Sequence, residues 1–328
     1  MKVLVTGASG MLGRQTALAL AARGDDVTVL QRHPSGLALP EVLADVADRE
    51  AVAEAVSGQD AVVHLAAKVN VTGRWADYER ANVQGTASVV MACSTAGVGR
   101  LVHVSSPSVA HAGDSLVGVG AEAADAARAR GHYARSKAHA EQIALGADGD
   151  TLAVVAIRPH LVWGPGDTQL VGRLVERARR GRLPIIGSGA ALIDSTYVTN
   201  AVDALVAALD RCQEAHGEAL VVSNGEPRPV GELIADICRA GGAPAPTRHL
   251  PYPAAALAGA LVDAVWATRL ALPLGGSPGD PPLTRFLAEQ LSTAHWFDQR
   301  RTRELLRWSP AVSLEQGLAE LAGSLRSR

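Results

Sequence analysis

Residues 1–13 read Met1-Lys-Val-Leu-Val-Thr-Gly-Ala-Ser-Gly-Met-Leu-Gly13, a short apolar run that leads directly into three glycines. Residues 14–23 (RQTALALAAR) contain good helix formers throughout, so the stretch predicts a strand, a glycine turn and a helix. In such a turn Gly7 permits the tight exit from the strand, Gly10 lets a pyrophosphate approach the backbone, and Gly13 lets the helix pack close to the sheet. The helix start, with Ser9, Met11 and Leu12, is then expected to direct its free N–H groups at the phosphates. The spacing is G-x-x-G-x-x-G rather than G-x-G-x-x-G, so this interpretation needs support from the rest of the chain.

Composition limits the classes of protein to which the chain can belong. The length of 328 residues indicates two domains or one enlarged domain, and 48% hydrophobic residues are enough for a large core. The net charge of −2 implies no nucleic-acid partner. Cys93, Cys212 and Cys238 show no metal or redox spacing and are expected to be buried free thiols in a reducing compartment. Since the sequence begins with a core strand and not with a signal peptide, a cytoplasmic location is expected.

The end of the second predicted strand indicates which dinucleotide is bound. Residues 26–30 form that strand, and Gln31 and Arg32 follow it. At this position an acidic residue would bind the ribose 2′-hydroxyl, whereas an amide and a guanidinium suit a 2′-phosphate. The sequence therefore favours NADP(H), with NAD(H) as the alternative and a solvated surface arginine as the plain interpretation of Arg32.

Other predicted strand ends supply further candidate cofactor contacts. Asp45, beside Val46, is placed to meet the adenine amino group, and Asp48 is expected to cap the next helix. The strand over residues 61–67 closes on small residues and is followed by Lys68; His64 within it is expected to be structural. In the helix predicted over residues 79–93, Asn82 either bonds backbone beside the site or caps the helix. The candidate contacts from these segments are Leu65, Ala66, Ala67, Lys68, Asn82, Val104 and Ser105.

A serine, a tyrosine and a lysine carry the predicted chemistry. The fifth strand, residues 101–106, ends on Ser106, and a long Gly/Ala-rich loop, expected to be functional or mobile, reaches Arg130. Tyr133 and Lys137 follow at i and i+4, on one helix face. Hydride transfer to a ketone needs a proton donor, and an ordinary tyrosine has a pKa of about 10. We therefore expect Lys137 to lower the pKa of Tyr133 and to hold the nicotinamide ribose, and Ser106 to orient the substrate oxygen.

Taken together, these motifs resemble the extended short-chain dehydrogenase/reductase family. The matching parts are TGASGMLG, HLAA, NVQGT, VSSPSV, YARSK and RPHLVWGPGD, in the expected order over residues 1–167. The resemblance implies that Ser106, Tyr133 and Lys137 are the catalytic set, because Val109 lies three residues after Ser106 as in the family. Pro159 and His160 then lie at the nicotinamide end. Ser106, Ser108 and His160 are candidate substrate contacts; for His160 a structural loop histidine is the equal alternative.

Within that family, residues 158–205 and 281–310 look like the 3β-hydroxysteroid dehydrogenase branch. They look most like sterol-4α-carboxylate 3-dehydrogenases and bacterial 2-alkyl-3-oxoalkanoate reductases of olefin biosynthesis. The resemblance implies oxidoreduction of a hydrophobic β-hydroxy or β-keto acid, most of all reduction of a 2-alkyl-3-oxoalkanoate. The alternatives are a 3β-hydroxysteroid dehydrogenase, a nucleotide-sugar epimerase or dehydratase, and a protein that binds NADP(H) without turnover. The apolar composition of residues 229–275 argues against a nucleotide-sugar substrate.

The expected fold class is α/β, a Rossmann-type doubly wound parallel sheet with a smaller, mostly helical C-terminal substrate domain. Residues 1–165 and 190–225 are assigned to the dinucleotide-binding domain, and residues 166–189 and 226–328 to the substrate domain. The apolar stretch 254–274 is expected to pack as a helix or to make a peripheral membrane contact, since two charges oppose spanning. The resemblance also implies a homodimer through residues 82–93 and 133–145.

Overall fold

The computed structural model describes residues 1–70, 73–111, 113–271, 281 and 284–326. Its strands are β1 (Lys2–Thr6), β2 (Asp26–Gln31), β3 (Glu41–Leu43), β4 (Ala61–His64), β5 (Arg100–Val104), β6 (Leu116–Val119), β7 (Ala153–Pro159), β8 (Val162–Trp163), β9 (Ile185–Ile186), β10 (Leu192–Ile193), β11 (Thr196–Tyr197), β12 (Ala219–Val222), β13 (Arg228–Pro229), β14 (His249–Leu250) and β15 (His295–Phe297). Its α-helices are α1 (Met11–Ala22), α2 (Arg49–Val56), α3 (Trp75–Tyr78), α4 (Gly85–Ala96), α5 (Gly131–Leu145), α6 (Val171–Arg179), α7 (Val198–Asp210), α8 (Val230–Ala240), α9 (Tyr252–Ala271), α10 (Arg285–Gln290), α11 (Arg300–Leu306) and α12 (Leu314–Arg326), with a π-helical turn over Glu79–Gln84 and a 3-10 turn over Pro107–Ala110.

Seven parallel strands form the central sheet in the order β12-β7-β5-β4-β1-β2-β3. From β1 the chain first winds outward through β2 and β3 and then crosses to β4 on the other side. The order therefore reverses between β1 and β4, which opens a crevice at the carboxyl ends of the strands, where open α/β sheets bind ligands. The predicted doubly wound parallel sheet is confirmed.

Helices cover both faces of this sheet, so the residues of its strands are buried on both sides and form continuous apolar runs. Val3, Leu4 and Val5 of β1 are fully buried, and they divide between the core clusters on the two faces. Among them His64 places its Nδ1 2.8 Å from Thr6 Oγ1 and its Nε2 3.0 Å from Thr86 Oγ1, which confirms its structural role. All three cysteines are buried free thiols, as expected.

A second, four-stranded sheet, in the order β13-β10-β15-β6, joins segments that are far apart in sequence. The segment 107–130, expected to be a loop, contributes β6, which pairs with β15. The structure departs from the expected domain boundaries at two places. Residues 192–193, assigned to the dinucleotide-binding domain, belong to the second sheet. Leu306 and Trp308, assigned to the substrate domain, pack into the core under the central sheet. These differences arise from pairings that local sequence does not specify.

Helix ends follow capping chemistry. Asp48 accepts hydrogen bonds from Glu50 N and Ala51 N at the start of α2, as predicted. Helix α6 begins at Val171, because Gly166 has a φ of +87° and the Asp167 carboxylate accepts from the N–H groups of Gln169, Leu170 and Val171 that open the helix. Of the apolar segment 254–274, residues 254–271 are helical within α9 and residues 272–274 lie outside the described residues. In the described part of the chain, no helix is long and apolar enough to cross a membrane.

Candidate active site

The glycine turn after β1 is held by contacts that exclude larger side chains. Gly7 has a φ of +81°, and a Cβ there would lie 2.8 Å from Ala66 N. A Cβ on Gly13 would overlap the Gly7 carbonyl oxygen. Gly13 therefore lets helix α1 pack against the glycine turn, and not against the sheet as predicted. At Gly10 a Cβ would meet only the Gly7 oxygen, at 3.5 Å. The backbone around Gly10 is therefore open to a ligand.

A cavity of about 740 Å³ lies over the carboxyl ends of the central strands. This volume is within the range of about 300–1,000 Å³ typical of small-molecule sites. Nearly all of the predicted site residues line it: Gly7, Ser9, Gly10, Met11, Leu12, Gly13, Gln31, Arg32, Asp45, Val46, Leu65, Ala66, Ala67, Lys68, Val104, Ser105, Ser106, Tyr133, Lys137 and Pro159.

Two observations show that the cavity fits a nicotinamide dinucleotide. The first turn of α1 carries no acidic residue, so the positive end of the helix dipole is open to a pyrophosphate. At the other end, Gln31 is buried and its Oε1 has no hydrogen-bond partner among the described residues. Gln31 Nε2 donates to the Glu41 carboxylate, which leaves Oε1 as an acceptor for a ribose hydroxyl.

Sequence reasoning missed part of the cavity wall. Besides the predicted residues, the lining includes Leu30, His33, Ala44, Val69, Ala81, Leu161, Val162, Gly166, Asp167, Thr168 and Gln169. The GPGD motif over residues 164–167 is the sequence signal for this part of the lining. The Asp167 carboxylate caps the turn that precedes α6, and this turn places residues 166–169 on the cavity wall.

Ser106 and Tyr133 meet at the cavity wall. Ser106 follows β5 and opens the 3-10 turn, where its Oγ lies 2.9 Å from Ser108 Oγ. Tyr133 lies in the first turn of α5. Burial raises the pKa of the Tyr133 phenol, and a hydrogen bond with Ser106 partly offsets that rise. The phenol therefore keeps its proton at neutral pH and is placed to donate it.

Lys137 does not have the predicted effect on Tyr133. Its Nζ donates to the Val104 carbonyl oxygen at 2.6 Å, and burial lowers the pKa of the ammonium to about 8 while Glu141 opposes that shift. The influences on the Tyr133 pKa are burial and Ser106. The expected lowering of the Tyr133 pKa by Lys137 is therefore not found in this arrangement, in which the Lys137 ammonium is directed at the backbone at the end of β5.

Asn82 links the cofactor loop to the catalytic helix without lining the cavity. Its Oδ1 accepts from Lys68 N at 2.7 Å, and its Nδ2 donates to Lys68 O at 3.2 Å and to Ser136 Oγ at 2.8 Å. Ser136 Oγ in turn donates to Tyr133 O at 2.8 Å. The prediction that Asn82 bonds backbone beside the site is confirmed. Its assignment as a direct cofactor contact is corrected, because it acts through Lys68.

His160 and Ser108 also lie outside the cavity lining. The buried ring of His160 packs against Phe297, with centroids 5.0 Å apart, and against His295, at 6.0 Å. Burial lowers the pKa of His160 to about 3. The structure therefore supports the structural interpretation of His160 rather than a contact with substrate or cofactor, because its ring faces the second sheet. Ser108 bonds Ser106 instead.

Comparisons with known proteins agree with this geometry. The sequence model of the NAD dependent epimerase/dehydratase family matches residues 3–223. The 2-alkyl-3-oxoalkanoate reductase of Stenotrophomonas maltophilia (strain K279a) is 42% identical over 99% of both chains. The sterol-4-alpha-carboxylate 3-dehydrogenase, decarboxylating, of Homo sapiens is 30% identical over 98% of this chain and 87% of the human protein. The solved structure of MoeE5 in complex with UDP-glucose and NAD superposes with a TM-score of 0.76 at 26% identity, covering 100% of this chain and 99% of that one. The chain therefore belongs to the NAD dependent epimerase/dehydratase family of extended short-chain dehydrogenases/reductases, and it is a nicotinamide-dependent oxidoreductase.

Proposed function

We propose that this chain interconverts a secondary alcohol and a ketone on a hydrophobic acid, and that it reduces a 2-alkyl-3-oxoalkanoate to the 2-alkyl-3-hydroxyalkanoate. The observation that carries the proposal is that Ser106, Tyr133 and Lys137 line the wall of the dinucleotide cavity together, with the Ser106 hydroxyl close enough to Tyr133 to oppose the rise in its pKa. The name of the Stenotrophomonas relative, which matches along the whole chain, supports this choice of substrate.

The protein groups account for the proton and for the orientation of the substrate. The nicotinamide, when bound, supplies the hydride to the carbonyl carbon or accepts it from the carbinol carbon. Ser106 Oγ orients the carbonyl oxygen toward Tyr133, and the protonated phenol donates to the developing alkoxide. Lys137 would hold the nicotinamide ribose hydroxyls with its ammonium, which Val104 positions. In the reverse direction the phenolate form of Tyr133 would accept the proton of the alcohol, and burial of the phenol lowers the share of that form near neutral pH because it raises the pKa.

The test of this function is a product assay. We expect the purified chain to oxidise NADPH at neutral pH when a long-chain 2-alkyl-3-oxo acid is present, and to form the 2-alkyl-3-hydroxy acid. Mass spectrometry of the quenched reaction identifies the product. Oxidation of a 3β-hydroxysterol without reduction of the oxo acid would reject the proposal and move the chain to the steroid side of the family.

A 3β-hydroxysteroid or sterol dehydrogenase is the second candidate, and the human relative at 30% identity is the observation in its favour. A nucleotide-sugar epimerase or dehydratase has less support, because the relatives at 30–42% identity carry reductase and dehydrogenase names, whereas the structure solved with UDP-glucose is 26% identical. Binding without turnover has the least support, since Ser106, Tyr133 and Lys137 all line the cavity.

We further propose that NADP(H) is preferred to NAD(H). Arg32 is exposed and lines the cavity next to Gln31, where its guanidinium would meet a 2′-phosphate. Two features oppose this preference. Hydrogen bonds from Ser35 and Gln31 lower the pKa of Glu41 and keep it negative, and the free Gln31 Oε1 is an acceptor, which suits a hydroxyl rather than a phosphate. The Arg32 charge lies on the cavity wall itself, so we expect it to outweigh Glu41.

Replacement of Arg32 by alanine tests this preference. A charge-assisted hydrogen bond contributes about 1.5–3 kcal/mol, so the KM for NADPH is expected to rise about 10- to 100-fold. NADH lacks the 2′-phosphate and provides the control in the same variant, since its KM is expected to stay within about twofold. Steady-state kinetics with both dinucleotides measures the effect. A rise for NADPH no larger than for NADH would contradict the preference.

Two proposed associations concern the outer surface. Leu257, Leu261 and Val265 are exposed at four-residue spacing on α9, which supports a peripheral membrane contact through residues 254–274. The Asp263 carboxylate on the same helix is hydrogen-bonded, since its Oδ2 accepts from Arg285 N at 3.1 Å.

The homodimer through residues 82–93 and 133–145 stays a prediction. Within one chain, α4 and α5 already pack on each other.

A further inference from the structure

Three cationic side chains in the described part of the chain line the cavity, namely Arg32, Lys68 and Lys137. Arg32 lies at the end of β2, on the side where the adenosine is expected. Lys137 is buried and its Nζ is bound to Val104 O. Lys68 is partly exposed, and no carboxylate of the described residues lies within ion-pair distance of it. Among these three cations, Lys68 therefore carries the accessible ammonium that lies neither at the adenosine end nor in the proton transfer, and the sequence predicts it only as a cofactor contact.

Several contacts place Lys68 at the same end of the cavity as Tyr133. Lys68 Nζ lies over the Tyr78 ring, 5.3 Å from its centroid. The Tyr78 ring packs against His132, the neighbour of Tyr133, with centroids 5.9 Å apart. A Cβ on Gly73 would lie 3.0 Å from Lys68 Cε, and Gly73 O lies 3.0 Å from His132 Nδ1. The Lys68 backbone is fixed to the same helix through Asn82 and Ser136.

We propose that the Lys68 ammonium binds the carboxylate of the substrate acid and so selects β-oxo and β-hydroxy acids over neutral ketones and alcohols. This inference rests on the proposed function, in which the carboxylate is two bonds from the carbon that exchanges hydride. A carboxylate held at Lys68 fixes one end of the substrate while Ser106 and Tyr133 hold the carbonyl oxygen. The aromatic face of Tyr78 keeps the ammonium in place without neutralising its charge.

The experiment compares an acid with its methyl ester in Lys68→Met. The comparison uses oxidation of the 2-alkyl-3-hydroxy acid, because the hydroxy acid and its methyl ester are both stable over a full series of concentrations. In Lys68→Met the KM for the acid is expected to rise about 10- to 100-fold, the range of a charge-assisted hydrogen bond. The KM for the methyl ester is expected to rise much less than the KM for the acid. The Kd for NADPH, measured by nucleotide fluorescence, tests in the same variant the contact with the dinucleotide that the sequence predicts for Lys68. Lys68→Arg should restore most of the preference for the acid.

Arg135→Met is the matched control. Arg135 also stacks on an aromatic ring, with its guanidinium carbon 4.8 Å from the Trp75 centroid, but it is exposed and does not line the cavity. It is expected to leave both KM values unchanged. An unchanged thermal unfolding midpoint in Lys68→Met shows that the fold is intact.

The outcomes separate this inference from the function on which it rests. If the wild-type chain oxidises the acid and Lys68→Met affects acid and ester equally, the role of Lys68 is overturned and the function stands. If Lys68→Met raises the Kd for NADPH without changing the ratio of acid to ester activity, Lys68 binds the dinucleotide instead. If the wild-type chain oxidises only the ester, or neither compound, the proposed function fails and the inference fails with it.

Discussion

Replacement of Tyr133 by phenylalanine is expected to lower kcat for the 2-alkyl-3-oxo acid by about 10²- to 10⁴-fold, the usual contribution of a positioned proton donor. The ring is retained, so the wall of the cavity keeps its shape, but the hydroxyl that bonds Ser106 is lost. The affinity for NADPH is expected to stay within about twofold, because the phenol supplies a proton rather than a site for the dinucleotide. Single-turnover oxidation of NADPH measures the chemical step directly.

Tyr197→Phe is the control for this experiment. It also removes a phenolic hydroxyl from a buried tyrosine, one that donates to the Glu320 carboxylate, and Tyr197 does not line the cavity. This variant is expected to lose stability and to keep its kcat. Equal losses of kcat in both variants would contradict the assignment of Tyr133 as the proton donor.

Glu141→Gln is expected to lower the free energy of unfolding by about 3–5 kcal/mol, because it leaves the buried Arg158 guanidinium without its counter-charge. Both side chains are almost fully buried, and Arg158 Nε donates to Glu141 Oε2 at 2.8 Å. Arg158 Nη1 also donates to Glu122 O at 2.7 Å. The pair ties α5, which carries Tyr133, to β7. Urea denaturation followed by circular dichroism measures the change.

Glu176→Gln provides the comparison with an exposed pair. Glu176 and Arg180 form an i,i+4 ion pair on α6 with both side chains more than half exposed. Such pairs contribute about 0.3–0.5 kcal/mol, so the two variants should differ by several kilocalories per mole. A loss in Glu141→Gln no greater than in Glu176→Gln would show that the buried pair does not hold α5 against the sheet.

Much of this site follows from local sequence because local chemistry determines it. The glycine turn needs a positive φ at Gly7, and no side chain fits between Gly13 and Gly7 O. The β-branched runs are buried on both faces of a parallel sheet, and the ends of those runs meet along one edge. For this reason the predicted residues from Gly7 to Pro159 line the same cavity although they are scattered over more than 150 positions.

The remaining features depend on tertiary contacts that a single sequence does not encode locally. His160 follows a residue of the cavity wall, but its ring turns toward Phe297. The helical spacing of Tyr133 and Lys137 is as predicted, yet the lysine is bound to Val104 O, which no spacing rule indicates. The ionic role of Arg158 depends on a partner 17 positions away on another element.

The pairing of β6 with β15 has a consequence for how the chain is made. Ser115 and Ala294, at the ends of these strands, are hydrogen-bonded across 179 positions of sequence. At about 5–20 residues per second, a ribosome needs about 10 to 40 s to synthesise the intervening chain. During that time the central sheet can assemble as far as β12, but the edge of β6 has no partner and its Val117 is apolar. Such a strand edge is prone to pair with another chain. The interval between synthesis of β6 and β15 is therefore the period in which a nascent molecule is most exposed to misassembly.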